Sequence, residues 1–358
     1  MATIYDVARI AGVSAKTVSR VLNGDAPVGS ATRTAVNAAI AQLNYVPSSA
    51  ARMMRSQHSG LIGLITGAIS MSPEPNQPAG LPELFIVQGI QKALANSGMT
   101  LMIADTGGVI EKAGPLIETC LRHRVEGLIY VAEYHQKVAL PGISDGTPMV
   151  LANCYDDQGT PAILPDDRRG QHDLVARLIA AGHCRIGYLT LSMAIAAGPH
   201  RRDGYRTALA EAGIGYDPAL VENCDIAGRE GETQLLRDAI DRMLRLSNPP
   251  SVLCCGNDKM ALRVYGILRS MGRRVPTEVS VAGYDNYRVI AETLYPPLTT
   301  VDLPYTAMGV RAAQRLMAMI SGESRENHGP TLVAGPVYWR GSVTELRPAN
   351  VSQLKSVK

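Results

Sequence analysis

The chain has 358 residues, 46% hydrophobic and 19% charged, with a mean hydropathy of +0.01. That length exceeds what one compact core supports, so two or three domains are expected. No apolar run approaches the roughly 18 residues of a membrane span, which argues against an integral membrane protein. The net charge of +3 is unevenly placed, because residues 1–60 hold Arg9, Lys16, Arg20, Arg33, Arg52 and Arg55 against only Asp6 and Asp25. The first sixth thus carries +4 and the remainder −1, as expected if that piece alone meets a polyanion.

In chain order, Ile4, Val7, Ala8 and Ala11 recur at helical spacing and predict a first helix ending at Gly12. Ser14 is a good N-cap for the next, SAKTVSRVLN, in which Val18, Val21 and Leu22 form one buried stripe. Ala15, Lys16 and Arg20 fall on its other face, flanked by Thr17, Ser19 and Asn23. A short helix with such a basic, hydroxyl-rich face suits a DNA major groove. Asn23-Gly24 and Pro27 break the chain, and Ser30 is expected to cap a third helix over 31–43, with Val36, Ile40 and Leu43 inward. Three short helices with a tight turn between the first two predict a helix-turn-helix headpiece over 1–46. After Tyr45-Val46-Pro47, the piece AARMMRSQ is too short to hold a helix alone, which makes 47–60 a hinge or linker.

From Leu61 onward apolar strands alternate with amphipathic helices. The first series runs LIGLIT, a helix in PELFIVQGIQKALANSG, MTLMIADT, a helix near 110–123, GLIYVAE, a short helix and MVLANC. The second runs helix 169–181, RIGYLT, helix 200–212, a helix near 229–246, SVLCCG, helix 257–271 and VSVAGYD. Such alternation predicts two doubly wound parallel-sheet lobes with a ligand cleft at the carboxyl ends of the strands. The Pro-rich segment 70–82 reads as a loop, and no internal sequence repeat stands out. The six cysteines lack CxxC or His spacing and read mostly as buried, reduced thiols, so no metal and no cofactor is expected. The N-terminus lacks the plan of a signal peptide, which points to the cytoplasm.

Several ordered motifs resemble the lactose-repressor (LacI) family of bacterial transcription regulators over essentially the whole chain. They are TIYDVARIAGVSAKTVSRVLNG, AIAQLNYVPSSAAR, DDRRG with LIAAGHCRIGYL, RRDGY, CGNDKMA, VAGYDN and PPLTTV. The resemblance implies an all-α helix-turn-helix headpiece, a hinge helix and a type I periplasmic-binding-protein-like α/β core over 61–345. One lobe would take about 61–164 and 302–322, the other about 165–301 and 323–345, with a tail at 346–358.

The resemblance places Ala15, Lys16 and Arg20 at base-reading positions, and Thr3, Ser14, Thr17, Ser19, Asn23 and Tyr45 at phosphate contacts. For Ser14 and Asn23 capping, and for Tyr45 packing, is the competing role. Arg52, Met54 and Arg55 match minor-groove hinge positions, Met54 standing where the family usually inserts a leucine wedge. Helix packing is the other reading of Met54. Arg201, Asp285, Asp166 and Asn257 match effector-cleft positions, and Tyr305 is a candidate for packing against the ligand. An ion pair between lobes is the alternative for Arg201 and Asp285, and N-capping for Asp166. Leu303 stands where many sugar-responsive members carry Gln, which weakens the assignment of a sugar or sugar acid as effector.

The expected protein is a regulator, most simply a repressor, that binds a pseudo-palindromic operator in double-stranded DNA. It would act as a homodimer, a tetramer remaining open, with no membrane partner. Two rivals differ in kind. Gly142-Ile143-Ser144-Asp145-Gly146 fits a hydrolase nucleophile pattern, but Pro141 precedes it and a strand follows, the reverse of the required context. A transport-type sugar-binding protein would explain the core but not the basic headpiece.

Overall fold

The structure, a computed structural model, describes residues 2–24, 27–46, 58–67, 83–141, 146–225, 231–323 and 329–346. Residues 1–60 form one compact unit and 61–358 another. The hinge residues Arg52, Met54 and Arg55, the loop 70–82, Gly142–Asp145 and the tail past Leu346 lie outside the described residues.

The headpiece has α1 (Ile4–Ala11), α2 (Ala15–Asn23) and α3 (Ser30–Leu43). Thr3 caps α1 reciprocally: its Oγ1 accepts the Asp6 N–H, and the Asp6 carboxylate accepts the Thr3 N–H at 3.0 Å. Those bonds to Thr3, with Arg9, hold the Asp6 carboxyl down at about 2. Gly12 turns the chain at φ 64, and Ser14 Oγ accepts the Thr17 N–H at 3.1 Å to start α2. Val7, Ala8, Val18, Val36 and Ala39 form the buried core. Ser30 is not the cap of α3. Gly29 occupies that position without a side-chain bond, and Ser30 begins the helix, its carbonyl accepting from Thr34 Oγ1.

The second unit begins with β1 (Leu61–Thr66), α4 (Glu83–Leu94), β2 (Thr100–Asp105), α5 (Ala113–Arg122), β3 (Gly127–Lys137), β4 (Met149–Tyr155) and β5 (Ala162–Pro165). The chain then crosses into α6 (Asp167–Ala180), β6 (Ile186–Thr190), α7 (Ala197–Glu211), β7 (Val221–Asn223) and α8 (Glu232–Leu244). Next come β8 (Val252–Cys255), α9 (Asp258–Ser270), β9 (Ser280–Asp285), α10 (Arg288–Ala291) and β10 (Thr299–Asp302). A second crossing leads to α11 (Tyr305–Ile320), β11 (Thr331–Val333) and β12 (Val337–Tyr338).

One sheet has the order β11-β5-β4-β3-β1-β2 and the other β12-β10-β9-β8-β6-β7, parallel except for β10 with β12. Apart from the added edge strand, both wind 2-1-3-4-5. The fold therefore contains a structural duplication that left no sequence repeat.

Two expectations need correction, and four short strands were not expected. Among the described residues no short helix separates β3 from β4, because β3 runs on to Lys137 through a register shift between Val131 and Gln136. The strands β5, β7, β11 and β12, of two to four residues, are too short for a period to register. The final crossing also comes later than 323, since β11 pairs with β5 in the first sheet and only β12 joins the second. Cysteines follow the expectation with one exception: five are buried and Cys184 is exposed. Burial pushes the Cys224 and Cys254 thiols up to about 12, so they stay protonated.

Candidate functional site

The chain leaves the first sheet at Pro165, the carboxyl end of β5, directly into α6 of the second lobe. It leaves the second sheet at Asp302, the carboxyl end of β10, and re-enters the first lobe at α11. The carboxyl ends of both sheets therefore face one another, where a doubly wound fold binds its ligand.

Arg201, on α7, is buried there at 3% exposure. Its Nε donates to Asp167 Oδ1 at 2.7 Å and its Nη1 to the Gly256 carbonyl at 2.6 Å, while Asp285 Oδ1 lies 3.6 Å from Nη1. The guanidinium stacks 3.6 Å above the Tyr284 ring. Burial opposes its charge, but Asp167, Tyr284 and Asp285 outweigh that and raise its pKa. All these partners belong to the second lobe, so Arg201 is not itself an ion pair across the cleft.

Asp285 ends β9 at φ 119, followed by Asn286 at φ 52. Two successive non-glycine residues in sparsely populated backbone regions mark a position over-determined by its surroundings, as ligand sites often are. Asn286 supplies that constraint, donating to Asp302 Oδ1 at 2.8 Å and accepting from Arg340 Nη2 at 2.8 Å. Burial pushes the Asp285 carboxyl up to about 6, against the opposing pull of Arg201. Beneath it, fully buried Asp258 accepts from Thr300 Oγ1 and the Tyr287 N–H, both at 2.7 Å. Burial, with Asp285 adding repulsion, raises its pKa as well.

Of the five expected effector residues, Asp285 and Tyr305 line one cavity of about 620 Å³, together with Phe85 and Leu303. Asp166 lines a different cavity of about 780 Å³, bordered by His135, His172 and His200. Its Oδ1 accepts the Arg169 N–H at 3.1 Å, which is the N-capping alternative. Asn257 likewise caps α9, accepting the Met260 N–H at 2.8 Å.

Four polar residues near the cleft escaped the sequence reading. Asp167, 2% exposed, is the counter-ion of Arg201, and its own second oxygen accepts from His135 Nδ1 at 2.8 Å. Glu133, in the middle of β3, has its pKa raised by burial and by the nearby Asp105. Asn153, in β4 at φ 61, is 1% exposed and its Oδ1 has no partner among the described residues. The Asp166-Asp167 pair at a helix start was the one available signal, because a cap uses the first carboxylate and leaves the second inside the first turn.

On the headpiece, Lys16 and Arg20 are exposed and Ala15 is half-buried. Of the expected backbone contacts, Thr3 and Ser14 are exposed, Thr17 and Tyr45 are half-buried, and Ser19 keeps 8% exposure. Ser14 and Thr17 hydroxyls lie 3.0 Å apart at the amino end of α2. Tyr45 packs on the headpiece core.

A basic helix-turn-helix unit and a two-lobed α/β sensor in one chain define a ligand-responsive DNA-binding regulator. Residues 3–48 match the bacterial regulatory proteins of the lacI family, and 175–343 match the periplasmic binding protein-like domain. The sucrose operon repressor of Escherichia coli is 33% identical over 344 residues, 96% of this chain and 100% of that protein. The transcriptional regulator CelR, solved with cellobiose, superposes with a TM-score of 0.62 at 30% identity, over 96% of this chain and 100% of that one. The lac repressor dimer bound to operator and the anti-inducer ONPF gives 0.74 at 26% identity, over 96% and 99%. This chain belongs to the LacI family of bacterial transcriptional regulators. Its relatives are repressors rather than enzymes, and no helix among the described residues is long and apolar enough to cross a membrane.

Proposed function

We propose that this regulator senses a neutral, hydroxyl-rich small molecule, a sugar rather than a sugar acid or phosphate. One observation carries the choice: the charge of Arg201 is already matched by Asp167 at 2.7 Å. Asp285, at the end of β9, and Glu133, close to Asp105 at the end of β2, add further carboxylates. An anionic ligand would meet that acidic surplus and would have to take Arg201 from its partner. A hydroxyl can instead donate to a carboxylate and accept from the guanidinium without displacing either. Four cations line the cavity, Lys92, Lys259, Arg288 and Arg311; all are exposed, and Arg288 is paired with Glu292 at 2.8 Å.

Sucrose, cellobiose and D-ribose should be compared with D-gluconate and glucose 6-phosphate by thermal shift. A neutral sugar should raise the melting temperature with concentration, and Arg201→Lys should lose the response. Stabilisation by the anionic compounds alone overturns the reading.

On DNA, Lys16 and Arg20 read base edges, Ala15 meets a thymine methyl, and Thr3, Ser14, Thr17, Ser19, Asn23 and Tyr45 set register on phosphates. Two copies of α2 occupy successive major-groove half-sites in a cytoplasmic homodimer, and the hinge bearing Arg52, Met54 and Arg55 enters the minor groove between them.

A further inference from the structure

Beyond the residues that would touch an effector, one buried polar chain joins the two lobes. The register of β3 against β4 shifts between Val131 and Gln136, a kind of irregularity that re-aims side chains. His135 lies within that stretch, only 6% exposed, and its Nδ1–H donates to Asp167 Oδ2 at 2.8 Å. The other oxygen of Asp167 takes Arg201 Nε, and Arg201 Nη1 continues to the Gly256 carbonyl at the end of β8. The His135 ring is held by stacking on His200, centroids 5.6 Å apart at 10°, and by the edge of Tyr155 at 5.9 Å. His135 and Tyr155 belong to the first lobe, and Asp167, His200 and Arg201 to the second.

We propose that His135 and Asp167 form a latch between the lobes, and that Asp167 transmits occupancy of Arg201 to the first lobe. The proposal rests on the reading of Arg201 as an effector residue. Asp167 is a positioning residue here. Burial alone would raise its pKa, but Arg201 and His135 together hold it below the usual carboxylate range. Its single negative charge is shared between two donors from opposite lobes. A ligand hydroxyl that accepts from Arg201 weakens its hold on Asp167 and shifts that carboxylate's charge towards His135; when His135 leaves, Asp167 is bonded by Arg201 alone. The two arrangements are distinct hydrogen-bonding states, and a two-state element biased by a ligand is what coupling between distant sites requires.

The test uses the full chain with spin labels at Glu118→Cys on α5 and Arg269→Cys on α9, exposed Cys184 replaced by Ser. His135→Leu removes the donor at similar volume, and His135→Asn restores a donor near the Nδ1 position. Without any sugar, His135→Leu should change the distance distribution between the lobes and His135→Asn should return it towards wild type. Superposable distributions for wild type and His135→Leu overturn the latch.

The second measurement uses operator DNA selected by the wild-type protein from random duplexes, with sucrose, cellobiose and D-ribose as probes. The sugar-induced change in operator affinity, about 5–150-fold in coupled systems, should fall to within about twofold in His135→Leu. An undiminished response there also overturns the proposal. If no probe acts on wild type while His135→Leu still alters the distances, the latch stands and the sugar reading of Arg201 fails.

Discussion

Arg201 Nε and Asp167 Oδ1 lie 2.7 Å apart with side chains only 4% and 1% exposed, so the arginine expected to grip a ligand is first of all one half of a buried ion pair. Removing one partner of such a pair leaves the other charged and desolvated, which costs about 3–5 kcal/mol. Arg201→Ala should therefore lower stability by that order as well as abolish the effector response. The pair Arg201→Met with Asp167→Leu should cost less than the sum of the single changes. Urea unfolding of the four proteins measures the coupling, and additive costs would show that the pair is not energetically real.

Asp285 sets a pH dependence. Its folded-state pKa of about 6 lies above the ordinary 3.8, so the folded protein holds a proton that the unfolded chain releases. Stability from this group is present below pH 4 and declines as pH rises towards 6. Asp285→Asn should flatten that part of the stability profile and raise stability at pH 7 relative to wild type. Melting temperatures between pH 4 and 7 supply the check, and an unchanged slope in the variant refutes it.

Glycines set how closely α4 and α11 approach. A Cβ at Gly89 would lie 2.2 Å from the Thr306 carbonyl oxygen, and one at Gly309 would lie 2.0 Å from that of Ile86. The obstruction is backbone on both sides, so no side chain can swing away. Either substitution by Ala should destabilise the core by about 1–3 kcal/mol or more, as overpacking does. Denaturant midpoints of the two variants would show it.

For DNA, Lys16→Ala and Arg20→Ala should each weaken operator binding by about 1–3 kcal/mol and relax base preference at one position. Thr3→Ala should weaken all sequences alike, and it also removes the α1 cap. Binding to a randomised duplex library, sequenced before and after selection, separates the two patterns. Arg20→Ala with an unaltered sequence preference would remove it from the reading positions.

Much of this was legible in the residues. The three helices of the headpiece follow from stripes such as Val18, Val21 and Leu22 and from the caps Ser14 and Gly12, all signals that act within four residues. The strands LIGLIT and VSVAGYD are long enough to register as apolar runs, and the VAGYDN motif marks Asp285, which lines a cavity, whereas Arg201 lines neither of the two cavities described. The role of Ser30 was misjudged because its being a cap or a first helical residue turns on the backbone angle of Gly29. β11 was assigned to the wrong lobe because three residues, TLV, carry no information about which sheet edge they will find.

The local patterns of this chain decide its class, because capping, helical period and strand alternation need no distant partner. They specify a basic helix-turn-helix and alternating strands and helices, which suffice for a DNA-binding sensor. What Arg201 does depends on Asp167, 34 positions earlier, and what Asp167 does depends on His135, a further 32 positions towards the N-terminus. Those distances are bridged only when a crossing at Pro165 and a register shift in β3 bring the three together out of water. Burial then makes a carboxylate's choice of donor costly to change, and that cost arises from packing alone.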